Sequence, residues 1–187
     1  MLEDLLEKER AAVLKKWFDL IMETYPVDAR KFLKQEKDSF ANPVGSTISR
    51  EIEVIFSELV RGLNPQDLAS CLDNIIRIRA VQEFSPSQAV GFIFLLKQAI
   101  REELGEKIRQ NRLLEDLLKF ESRVDDLALL GFEVFMGCRE KIYEIRANEI
   151  KNRSSILLKR MSQGRKGQDR ERDLKDGIIS AGNNEER

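Results

Sequence analysis

The sequence contains no histidine among its 187 residues. That absence excludes histidine-ligated zinc, histidine-based general acid–base catalysis and the proximal ligand of an ordinary haem globin. Only two cysteines occur, Cys71 and Cys138, and neither has a second cysteine at the spacing of a CxxC motif. We therefore interpret both as reduced thiols that pack as small hydrophobic side chains, and we expect no metal site and no cofactor.

Long apolar runs and an excess of one charge are also missing. No apolar stretch approaches the roughly 20 residues that span a bilayer, and residues 1–10 are acidic and amphipathic, unlike a signal peptide. Lysine plus arginine (32) nearly balances aspartate plus glutamate (33), so no overall field attracts nucleic acid or anionic lipid. We expect a cytoplasmic protein without membrane insertion and without a nucleic-acid partner.

Catalytic motifs are absent as well. Neighbouring carboxylates such as Glu102 and Glu103, or Asp125 and Asp126, diverge on a helix and are typical of solvated faces. A di-metal carboxylate bundle requires Glu-x-x-His motifs, and no serine lies in a G-x-S-x-G elbow. We therefore predict no catalytic residues and a protein that is not an enzyme.

Helical periodicity is what the sequence does contain. Its four prolines and ten glycines lie almost entirely between periodic segments, which indicates an all-α protein. A first helix is predicted over residues 2–24, ended by Tyr25-Pro26. Ser85 and Gln88 form a capping-box pattern before an apolar segment, 89–96, that we expect to be a central buried helix. Gly91 within it suggests a close crossing with another helix.

Two groups of residues are candidates for sensing a signal. The first consists of three aromatic residues that are candidates for lining a ligand pocket: Trp17, Phe40 and Phe92. A tryptophan on a helical apolar stripe is, however, more commonly part of the core. The second is an irregular segment that contains Asn42, Pro43 and Gly45. Proline fixes one backbone angle there and glycine permits a positive one, so the segment is either a sensing loop or a structural turn.

A long C-terminal helix is predicted over residues 122–161. Its apolar residues recur at spacings of three and four: Val124, Ala128, Gly131, Phe135, Cys138, Ile142 and Ile145. At about 1.5 Å per residue the helix would measure roughly 60 Å, more than a small domain covers. We therefore predict a helical core over 1–121 and a helix over 122–161 that is half core and half protruding stalk. Phe135, Cys138, Ile142 and Ile145 are the expected pairing surface.

The last residues, 162–187, are rich in Gly, Gln, Asn and mixed charge. They contain too few apolar side chains to bury a core, so a disordered polar tail is predicted.

Three sequence motifs together resemble a known family. They are Phe40-Ala41-Asn42-Pro43-Val44-Gly45, the segment 85–92 (SPSQAVGF) and the segment 132–143 (FEVFMGCREKIY). In this order and spacing they resemble the N-terminal sensor domain of RsbR-type stressosome proteins, over roughly Leu5 to Ile150. The resemblance implies a globin-like helical bundle without haem, a homodimer, and a last helix that projects toward an effector.

In that family the last helix commonly leads into a sulfate-transporter/anti-sigma-antagonist domain with phosphorylatable threonines. Only a predominantly polar tail follows the predicted helix in this sequence, so we expect a free-standing sensor or adaptor. It would dimerise and transmit a signal through its long helix to a downstream regulatory protein. A structural or accessory subunit that docks onto a larger, for example membrane-bound, complex is the alternative. A haem-binding oxygen sensor would need Cys or Tyr as the iron ligand.

Overall fold

The computed structural model describes residues 1–35, 40–62, 68–82 and 84–182, with side chains for these residues except Gln35 and residues 157–182. This part of the chain is helical and contains no strand, which confirms the all-α prediction. The globin-like arrangement stays a prediction. In chain order the helices are α1 (Leu2–Lys8), α2 (Arg10–Glu23), α3 (Val27–Gln35), α4 (Pro43–Arg61), α5 (Ala69–Val81), α6 (Pro86–Gly91), α7 (Leu95–Gln110) and α8 (Leu114–Gly182).

The chain divides into two compact units, Met1–Glu140 and Lys141–Arg187, and α8 contributes residues to both. The predicted boundaries after residues 121 and 161 stay predictions. The long helix itself begins at Leu114 and not near Ser122. Helix α7 ends in a turn in which Arg112 has a positive φ of 59°. No proline or glycine lies between Leu114 and Ser122 to interrupt the helix after that turn.

Helix α8 continues to Gly182, so the backbone of residues 162–182 is helical where the composition predicts disorder. The segment has no proline, but it contains four glycines and only one Glu and one Leu, so helix propensity does not explain this backbone. Residues 183–187, the rest of the predicted tail, lie outside the described part. Among the described residues, none of the helices combines the length and the apolar character that crossing a membrane requires.

The core of the first unit forms mainly where α2 packs against α7 and where α4 packs against α5. The predicted first helix is two helices, because the backbone departs from helical geometry at Glu9 (φ −101°, ψ 14°). The predicted end at Tyr25-Pro26 is confirmed, since α2 ends at Glu23 and α3 begins at Val27.

The predicted central helix is also interrupted. α6 and α7 are separated by a tight turn, residues 92–94, closed by i→i+3 backbone hydrogen bonds such as Ile93 N to Val90 O at 3.1 Å. The capping box before α6 is confirmed, since Gln88 N donates to Ser85 Oγ and Ser85 N donates to Gln88 Oε1. The predicted helix crossing at Gly91 is wrong, because a Cβ placed there would meet no atom within 4 Å.

Candidate functional site

The turn between α6 and α7 holds two of the three predicted pocket residues together. Trp17 Nε1 donates a 2.8 Å hydrogen bond to the carbonyl oxygen of Phe92, and both side chains are fully buried. At the end of this turn the backbone N–H of Leu96, in α7, donates to the carbonyl of Ile93. The geometry therefore supports the core interpretation of Trp17, which is packed and hydrogen-bonded at this turn.

Phe40, the third predicted pocket residue, does not join this pair. Its side chain is 96% exposed. The structure therefore does not bring Trp17, Phe40 and Phe92 to one pocket.

Arg79 of α5 is the residue that sequence reasoning missed. Its position near the end of α5 has an ordinary explanation, attraction to the negative end of the helix dipole. In the structure it is fully buried. Nη1 donates to the carbonyl of Gln88 at 2.8 Å and Nη2 donates to Thr24 Oγ1 at 3.0 Å. Arg79 therefore ties the end of α5 to α6 and to the C-terminal end of α2.

Three aromatic rings surround the Arg79 guanidinium. Its central carbon lies 5.2 Å from the ring centroid of Tyr25, 5.0 Å from that of Phe84 and 5.3 Å from that of Phe92. The rings of Tyr25 and Phe84 also meet edge to face, with centroids 5.4 Å apart. Ring faces attract a cation, so this arrangement is an aromatic cage. We call Arg79 with Tyr25, Phe84 and Phe92 the arginine cage.

Within the described part of the chain, no carboxylate forms an ion pair with Arg79, whose nearest polar side-chain neighbours are neutral. Burial lowers the pKa of Arg79 and raises the pKa of Tyr25, and the proximity of the two groups opposes both shifts. Among the described residues, Arg79 Nε and the Tyr25 hydroxyl are buried with no hydrogen-bond partner besides each other.

The same turn presses against α8. A Cβ placed on Gly131 would lie 2.8 Å from Ile93 Cδ1, 3.4 Å from Val90 Cγ1 and 3.5 Å from Ile76 Cδ1. A side chain at this position would have to displace the flexible end of Ile93. Because Ile93 follows Phe92 directly, the turn connects the arginine cage to the backbone of α8.

The predicted sensing-loop residues form the beginning of α4. Asn42 is almost fully buried, and its Oδ1 accepts a 2.9 Å hydrogen bond from Gly45 N while its Nδ2 donates to Leu33 O at 3.0 Å. Pro43 occupies the first turn. These contacts support the structural-turn interpretation, although Asn42 and Gly45 also line an open depression of about 400 Å³.

The predicted pairing surface is divided in the structure. Phe135 is 1% exposed, and Cys138 is half-buried with its Sγ donating to Asp73 Oδ1 at 3.5 Å. These two residues therefore pack within the first unit. Ile142 is half-buried and Ile145 is 54% exposed, both in the second unit.

A different stripe of α8 is exposed. Leu129, Phe132 and Met136, spaced by three and four residues, are 69%, 48% and 41% exposed. We call these three residues the outer stripe. Sequence analysis missed it because two heptad patterns run along α8, and periodicity alone does not tell which one the earlier helices cover. Gly137 lies beside the outer stripe, with no atom within 4 Å of an added Cβ.

Comparison with known proteins places these residues in a recognised domain. The model of the family described as RsbT co-antagonist protein rsbRD N-terminal domain matches residues 11–150, which include the arginine cage, Gly131 and the outer stripe. An uncharacterized protein of Archaeoglobus fulgidus is 26% identical over 146 residues, which cover 75% of this chain and 84% of that protein. No solved structure matches the chain.

Proposed function

This chain belongs to the RsbT co-antagonist protein rsbRD N-terminal domain family, whose members are stressosome-related sensor domains, and from that membership we propose a cytoplasmic, non-catalytic sensor or adaptor. The protein forms a homodimer and passes a signal through α8 to a regulatory partner. The observation that carries this proposal is the contact of Gly131 with Ile93, which connects the buried turn to the helix that continues past Glu140.

A signal could pass from the turn to α8 because the two pack directly against each other. Phe120, Val124 and Leu127 hold the first part of α8 in the core. Gly131 then faces the side chains of Ile93, Val90 and Ile76, so a repacked turn at residues 92–94 changes the surface against which α8 packs. Packed helices exchange between discrete arrangements in this way, and a helix carries such a shift along its length.

The outer stripe is the surface on which we place the second copy of the chain. Its three large apolar side chains project from one face of α8, and such a row is covered most simply by the same row of another copy. Gly137 adds to the argument, because a mid-helix glycine costs about 1 kcal/mol relative to alanine and has no internal contact that explains it. A partner helix that approaches closely would explain it.

Sedimentation of the full chain tests the proposed dimer. We expect wild type to be dimeric, Phe132→Glu to be monomeric, and Val54→Glu, a matched control on α4 that is 41% exposed, to remain dimeric. A monomeric wild type, or a Phe132→Glu variant that stays dimeric, contradicts the outer stripe as the pairing surface. If Ile145→Glu dissociates the dimer and Phe132→Glu does not, the surface predicted from the sequence is the pairing surface.

The accessory-subunit alternative is favoured by a separate observation. In the second unit Ile145, Ile150 and Ile156 are 54%, 66% and 52% exposed, and Ile145 and Ile156 lie on the same face of α8. Exposed apolar side chains on one helix face are typical of a docking helix. Pull-down from the host with the full chain and with a chain ended after Glu149 separates the two functions. Loss of a stoichiometric partner favours docking, whereas thermal stabilisation by a small molecule favours sensing.

A further inference from the structure

We propose that residues 150–168 of α8 bind the surface of an anionic lipid bilayer, as a helix that lies among the lipid headgroups. We call these residues the basic segment. They belong to the second unit, so this proposal does not depend on the dimer or on a signal from the turn at residues 92–94. It follows from a local excess of positive charge and from apolar residues on the same stretch of helix.

The charge balance of the whole chain conceals the local excess. The basic segment contains no aspartate and no glutamate, and its six basic residues are Lys151, Arg153, Lys159, Arg160, Arg165 and Lys166. The structure describes the side chains of Lys151 and Arg153, which are exposed and form no ion pair with another described residue. Clusters of about four to eight basic residues on an amphipathic helix are typical of proteins that bind anionic lipids.

An apolar row runs along the basic segment. Ile150, Leu157 and Met161 recur at spacings of seven and four residues, which places them on one face of α8. Ile150 is 66% exposed, so the described part of the chain leaves the start of this row largely uncovered. The row gives the basic segment an apolar face that a purely electrostatic contact would not use.

Basic residues flank the apolar row on both sides. By helical register, Arg153 and Arg160 are on one side of the row, and Lys151 and Arg165 are on the other. A helix at a bilayer surface inserts its apolar face between the headgroups, where basic residues on both flanks meet anionic charge. An acidic groove on a protein would need carboxylates along both of its rims, whereas a bilayer presents headgroups on every side.

Nucleic acid fits the basic segment less well than a lipid surface. The segment has no aromatic residue on which a base would stack. Contacts with phosphates alone would also leave the apolar row in water. The combination of flanking cations and aliphatic side chains therefore favours lipid.

Cosedimentation of the full chain with vesicles tests the proposal. We expect binding to vesicles that contain phosphatidylglycerol, no binding to vesicles of phosphatidylcholine alone, and release at high salt. Each basic residue near an anionic surface strengthens binding roughly fivefold, so Arg153→Gln/Arg160→Gln should weaken it about 25-fold. The matched control Lys31→Gln/Lys119→Gln removes the same charge from exposed positions of the first unit and should bind like wild type.

The apolar row separates a lipid surface from other polyanions. Ile150→Ser should weaken vesicle binding about tenfold, because the apolar side chain no longer enters the headgroup layer. Val54→Ser, at an exposed apolar position of α4, is its control and should bind like wild type. An unchanged affinity of Ile150→Ser overturns the proposal, and so does equal binding, or no binding, of wild type to the two kinds of vesicle.

Two further outcomes would identify a different partner. Binding to polyuridylate without binding to vesicles overturns the proposal and indicates nucleic acid. A host protein that wild type retains and Arg153→Gln/Arg160→Gln loses, again without binding to vesicles, overturns it and indicates an acidic protein.

Discussion

The indole N–H of Trp17 and the backbone carbonyl of Phe92 are joined by a 2.8 Å hydrogen bond across 75 residues of sequence. This bond attaches α2 to the turn between α6 and α7. The ring of Phe92 lies beside the guanidinium of Arg79, and its neighbour Ile93 contacts α8 at Gly131. One short turn therefore links α2, α5 and α8.

Replacing Trp17 with phenylalanine tests how much the hydrogen bond stabilises the turn. Trp17→Phe keeps an aromatic ring but leaves the buried carbonyl of Phe92 without its indole donor. An unsatisfied buried acceptor costs about 1–3 kcal/mol, and the smaller ring adds a cavity cost. We expect the free energy of unfolding to fall by about 2–4 kcal/mol, the sum of these effects, in urea titrations followed by circular dichroism.

The control for this variant lies in the same turn. Phe94 is 47% exposed, and Phe94→Leu should change the free energy of unfolding by less than about 0.5 kcal/mol. If both variants lose the same stability, the turn responds to any substitution and the Trp17 hydrogen bond has no special role.

Two helical glycines, Gly131 in α8 and Gly105 in α7, should respond differently to alanine. Gly131→Ala places a Cβ 2.8 Å from Ile93 Cδ1, and displacing this flexible end of the side chain should offset the roughly 1 kcal/mol of helix propensity gained. Gly105→Ala in α7, where nothing lies within 4 Å, should stabilise by about 1 kcal/mol. Ile93→Val should partly rescue Gly131→Ala if the methyl contact is the cause. Chemical denaturation of the four variants measures this directly.

Local patterns were sufficient for much of the fold. Helical periodicity predicted the all-α class, and Ser85 with Gln88 predicted a capping box whose two hydrogen bonds are present. These features depend on residues within one turn of each other, so the sequence contains all the information that they need. The family resemblance, carried by three short motifs, is confirmed by the match over residues 11–150.

The candidate site depends on contacts between distant segments, which periodicity does not specify. Tyr25 and Phe84 lie just beyond the ends of α2 and α5, and nothing in their local sequence indicates that they meet around Arg79. Which of the two apolar stripes of α8 is buried and which is exposed likewise depends on where Ile76 and Ile93 pack. The position of the close helix approach, Gly131 rather than Gly91, follows from the same packing.

A bidentate ion pair attaches α7 to α8 and should show a modest but measurable coupling energy. Arg101 Nε and Nη2 donate to the two carboxylate oxygens of Glu121 at 2.7 and 2.6 Å, and the Glu121 side chain is 8% exposed. Arg101→Met leaves this buried carboxylate unpaired, whereas the double variant with Glu121→Gln removes the charge as well. Because the Arg101 side chain is 61% exposed, solvent screening limits the coupling to about 1 kcal/mol.

A double-mutant cycle by urea denaturation measures this coupling. We expect Arg101→Met to be more destabilising than the double variant. The exposed pair Lys119 and Glu115 on α8 is the matched control, and its cycle should give a coupling near zero. Equal coupling in the two cycles contradicts a special role for the buried carboxylate.

Acid should weaken the attachment of α7 to the N-terminal helices in a defined pH range. Lys107 donates to Glu9 at 2.6 Å and Lys16 pairs with Glu102 at 2.6 Å. These hydrogen bonds hold the pKa of Glu9 and of Glu102 below the ordinary value of 4.5. The unfolded chain therefore binds protons first as pH falls, so the stabilisation is present above pH 4.5 and is lost as pH decreases through the folded-state pKa values.

Urea midpoints measured at several pH values between neutrality and pH 3 check this effect. The double variant Glu9→Gln/Glu102→Gln should be less stable than wild type at neutral pH and should lose less stability on acidification, because two groups that differ between the folded and unfolded states no longer titrate. Added salt should reduce the difference at neutral pH, since both pairs are exposed and screened. Parallel pH profiles for the two proteins would show that these ion pairs do not attach α7 to the N-terminal helices, and that buried apolar side chains such as Leu104 and Ile108 do so instead.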